Sequence, residues 1–74
     1  MSEVSDKIIN ISKTYLGPAT ESFLSRQCTA HLKVELASLT AAQVKALAER
    51  VEKSAALIMD AAKAAELAKK IAAI

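Results

Sequence analysis

An all-α fold, a small bundle of three to four short helices, is predicted from three features of the 74 residues. Apolar residues recur three and four positions apart along the whole chain, and no stretch keeps a period of two. The single Gly and the single Pro are adjacent, at Gly17-Pro18, where they can end one helix and start the next. Sixteen alanines favour helix and let helix backbones approach closely.

The first helix is expected over roughly Glu3 to Leu16. Val4, Ile8, Ile11 and Tyr15 form its apolar stripe, and Ile9 and Leu16 widen it toward a second neighbour. Gly17 tolerates positive φ at the helix end, and Pro18 suits the first turn of a second helix running to about Leu32. On that helix Thr20, Phe23, Leu24, Gln27, Cys28 and His31 share one side, and Glu21, Ser22, Ser25, Arg26, Thr29 and Lys33 the other. A short connection, Val34 to Leu39, is expected to plug the core with Val34, Leu36 and Leu39.

Thr40-Ala41-Ala42-Gln43 matches a capping box, and Leu39 and Val44 occupy the hydrophobic-staple positions around it. The third helix then carries the stripe Val44, Leu47, Ala48, Val51, Ala55 and Ile58, with Lys45, Glu49, Arg50 and Lys53 on its wet side. Leu67, Ile71 and Ile74 do not continue that stripe, and Asp60 can cap a new helix. A break near Met59-Asp60 is therefore expected, in preference to one long helix reaching Ile74.

Length and composition bound the function. The chain fits one domain, residues 1–74, with ten Lys and Arg against eight Asp and Glu and a net charge of +2. Tyr15 and Phe23 are the only aromatics, and a lone cysteine forms no internal disulfide. So thin a core needs either very regular helix packing or a second chain to cover it. An unpaired Cys28, no secretory-type amino terminus and no membrane-length apolar run point to the cytoplasm.

Catalytic and ligand chemistry finds few candidates. Cys28 and His31, three apart on one helix, would need Glu35 or Asp60 to complete a metal set, and no metal is expected. No glycine-rich loop exists to hold phosphate. Ser, Cys and His are present, but a triad also needs a positioned base, an orienting acid and usually a cleft, which so small a chain rarely encloses. The expectation is a non-enzyme without cofactor or small-molecule substrate. Gln27, in the middle of an apolar stripe, has two readings: a bond to a loop carbonyl, or a polar group that sets register at a helix interface. Lys63, Lys69 and Lys70 are the densest basic group, too small for the footprint expected of a nucleic-acid binder.

Tyr15-Leu16-Gly17-Pro18-Ala19 followed by Phe23-Leu24-Ser25-Arg26-Gln27 resembles a small all-helical bacterial domain found alone or at the ends of signalling and regulatory proteins. Leu39-Thr40, the Leu47/Val51 stripe and Ala65-Glu66-Leu67-Ala68 fit the same layout. The resemblance implies a helical accessory module and transfers no catalytic residue.

The expected function is a non-enzymatic protein–protein interaction module, self-associating as a dimer or docking a partner in bacterial signalling. The alternative is a small nucleic-acid-binding regulator. Leu57, Leu67, Ile71 and Ile74 are the candidate interaction residues, and Gly17, Pro18, Thr40 and Gln43 the turn and cap residues.

Overall fold

In the computed structural model, which describes residues 2–74, four α-helices form: α1 Glu3–Leu16, α2 Thr20–Gln27, α3 Val44–Ala55 and α4 Ala61–Ala72. The described residues contain no strand. The all-α bundle expected from the periodicity is therefore present.

Helix α1 has the predicted bounds but buries a different line. Ser5, Ile8, Ile9 and Ser12 are buried, whereas Val4, Ile11, Tyr15 and Leu16 flank them half-buried. Ser2 caps the helix: its hydroxyl accepts from the Ser5 N–H at 3.1 Å and donates to the Leu39 carbonyl at 2.9 Å. The Ser2 N–H also bonds the Ala37 carbonyl at 3.2 Å. The start of α1 is thereby stitched to the connection before α3. Ser12 Oγ, by contrast, is buried without a hydrogen-bond partner.

Gly17 ends α1 at φ 59° and ψ −135°, its N–H bonding the Lys13 carbonyl. A 3₁₀ turn over Gly17–Ala19, containing Pro18, leads into α2. Helical turns continue to Leu32, as expected, but Cys28–Leu32 is a π-turn. Its wider turn inserts an extra residue per revolution. The second helix's apolar side is thus corrected at its last member, because His31 swings out and is exposed. Lys33 closes the π-turn in the left-handed region at φ 60°.

Leu36 and Leu39 plug the core as expected, and Val34 packs against it half-buried. The capping box forms, with Gln43 Oε1 accepting from the Thr40 N–H at 3.0 Å, and the first turn, Ala41–Gln43, is 3₁₀. Both staple residues, Leu39 and Val44, are buried. Helix α3 then buries Val44, Leu47, Ala48, Val51 and Ala55.

The chain breaks where expected. After Ala55 it turns through Ala56–Met59, and Asp60 caps α4, its carboxylate accepting from the Ala62 N–H at 3.4 Å. Ile58 is corrected by this turn. The periodicity places it on the buried stripe of α3, but α3 has ended before it and the side chain is 65% exposed. Helices α3 and α4 pack as an antiparallel hairpin, and Ala64, Leu67, Ala68 and Ile71 of α4 join one core with Ile8, Leu24, Leu36 and Leu47.

Candidate interaction surface

The hairpin separates the four residues the sequence singles out for interaction. Leu67 and Ile71 are fully buried inside the chain's own core, so neither presents a surface to a partner. Leu57 lies in the α3–α4 turn and is 87% exposed. Ile74, 39% exposed, follows the last turn of α4 at the opposite end of the hairpin. The structure brings Leu57 together not with the other three but with Ile58.

Leu57 and Ile58 therefore stand side by side at the hairpin tip, an unusual exposure of two large apolar side chains. The next residue, Met59, is half-buried and forms one wall of a groove of about 440 Å³ between the end of α1 and the start of α4. Thr14, Tyr15, Lys63 and Glu66 form the rest of its lining. Three large apolar residues in succession, Leu57-Ile58-Met59, are the sequence signal for this site, since no single helix face buries three neighbours.

The charges around the tip are mixed in sign. Lys63, Glu66 and Lys70 follow one stripe of α4, whereas Lys69 turns the other way, into the α3–α4 groove beside Lys45, Glu49 and Glu52. The basic group seen in the sequence is thus divided between two faces. The Lys70 ammonium lies 5.2 Å from the centroid of the Tyr15 ring. Tyr15, by hydrogen bonding first and by charge second, holds the Lys70 pKa above the ordinary lysine value.

Inside the bundle, the Ser54 hydroxyl donates to Gln27 Oε1 at 2.9 Å, linking α2 to α3. Gln27 thus meets a side chain of its own fold and not a loop carbonyl. Arg50, expected on the wet face of α3, is half-buried, with its Nε enclosed and without a partner. Cys28 is fully buried and His31 exposed, so the two do not converge. Among the described residues, no three His, Cys, Asp or Glu side chains gather to hold a metal, and no helix is long and apolar enough to cross a membrane.

Burial pushes the Cys28 thiol above its ordinary pKa of 9.0. The unfolded chain releases this proton near 9.0 while the folded chain retains it. Cys28 therefore contributes stability below that pH that is lost as pH rises through the raised value. Urea melts at increasing pH should show this loss, and Cys28→Ala should flatten it. An identical alkaline slope in both proteins would rule the linkage out.

Comparisons with protein-family models, with curated proteins and with solved structures each found no match to this chain. The likeness at Tyr15–Gln27 accordingly remains a likeness of residues.

Proposed function

We propose that this chain is a non-enzymatic protein–protein interaction module that docks its partner through the α3–α4 tip. The adjacent exposure of Leu57 and Ile58, at 87% and 65%, carries the reading. Hydrophobic pairs held clear of their own core mark contact sites, whereas scattered single apolar residues do not. The short turn between two packed helices presents them, and a presenting element formed before docking lowers the ordering entropy lost. The resemblance to bacterial accessory domains supports a setting in signalling or regulation.

A photo-crosslinking residue placed at position 57 tests this in the native cell. Covalent attachment to a protein is expected, and it should vanish when Ile58→Asp is added. Absence of any protein adduct overturns the reading. The nucleic-acid alternative requires phosphate contacts whose affinity falls steeply with salt. The division of Lys63, Lys69 and Lys70 between two faces does not favour it, and no shift with mixed DNA and RNA is expected at about 50 mM salt.

A further inference from the structure

We propose that the partner seated on the tip is a second copy of this chain, each copy inserting Leu57 and Ile58 into the other's Tyr15 groove. This rests on the interaction-module reading and names its occupant. A two-fold contact uses the same patch on both copies, so the patch must complement itself. Here a protruding apolar pair and an open groove are contiguous, sharing Met59 between them. A two-fold axis between them places each plug in the opposite socket.

The charges satisfy the same condition. Lys53 and Asp60 flank the tip, Lys63 and Glu66 edge the groove and Lys70 lies over its Tyr15 wall, which leaves the rim with both signs, three cations to two carboxylates. A rim of one sign would repel its own copy, whereas this one lets Lys of one copy face Asp or Glu of the other. It also lacks the single-sign field with which a protein draws in a nucleic acid or an anionic lipid surface.

A specific interface of about 1,200 Å² in total would take roughly 600 Å² from each copy, close to one seventh of this chain's 4416 Å². A reversible monomer–dimer equilibrium should be visible by dilution.

Sedimentation equilibrium of the whole chain from about 10 μM to about 1 mM reads it. The mass should climb from 7.8 kDa toward twice that value. Leu57→Asp combined with Ile58→Asp should hold it at the monomer mass with unchanged helicity, since both side chains are exposed. The purified protein with the photo-crosslinker at position 57, mixed from isotopically light and heavy copies, should give light–heavy adducts at Thr14, Tyr15, Met59 or Lys63. A monomer across the whole range, a double variant that still dimerises, or inter-copy adducts away from the groove would each overturn the proposal. Should the chain stay monomeric while position 57 captures a different protein in the cell, the second copy is excluded and the module reading stands. No adduct in either setting removes both.

Discussion

Leu67→Lys and Ile71→Lys, made singly, should each leave the chain largely unfolded at 25 °C. Both side chains are fully buried in the core, and deleting such a side chain to Ala already costs about 2–5 kcal/mol. Lysine adds an ammonium that finds no partner in an apolar core. A single core of this length supplies only about 3–5 kcal/mol in total, so either change consumes most of the stability. Far-UV circular dichroism should show the helical signal collapse and the cooperative urea transition disappear. Leu57→Lys is the internal comparison, because its side chain faces water in the single chain and its melt, taken at a dilution where both proteins are monomeric, should match the parent's. Cooperative melts within a few degrees of the parent for both core variants would place Leu67 and Ile71 outside the core.

The second large effect is expected at Gly17. Its φ of 59° with ψ of −135° falls in a region that residues with an L side chain rarely occupy. A Cβ built there meets nothing within 4 Å, so the β-carbon itself encounters no clash and its cost is a backbone cost. Gly17→Val should destabilise by about 1–3 kcal/mol, toward the upper end because valine is branched at Cβ. The mirror image of this conformation is ordinary extended backbone, so D-alanine at position 17 should not destabilise. By narrowing the unfolded ensemble it should raise stability by about 0.4–1 kcal/mol. Opposite signs for L-valine and D-alanine in urea melts of the synthetic chain confirm a conformational origin. Equal loss for both would point to contact instead.

Local chemistry made most of the fold legible in the sequence. Gly17-Pro18, the Thr40–Gln43 box and Asp60 are short-range signals, and the helix boundaries follow them closely. Longer-range features were not legible for three physical reasons. Extrapolation at 100° per residue fails once a π-turn intervenes, which is why His31 leaves the apolar side. Periodicity identifies an apolar stripe but not what covers it. Leu67 and Ile71 read equally well as the contact of a foreign partner or as part of the chain's own core, and they belong to the core. Last, buried polar groups follow partners distant in sequence. Gln27 waits for Ser54 across 27 positions, and Ser2 for Leu39 across 37. The Leu57–Ile58 site was half legible, because an overlong α3 stripe claimed Ile58 for the interior.

The stitch from Ser2 to Ala37 and Leu39 has a mechanical consequence. A chain terminus is ordinarily the first part of a protein to fray, and its fraying disturbs little else. Here Ser2 is tied to the segment carrying Leu36 and Leu39, two side chains buried in the core. Tension applied ahead of Glu3, by a segment or fused neighbour joined there, would be transmitted across the bundle to its centre. Ser2 is placed to act as a drawstring on the segment that closes the core.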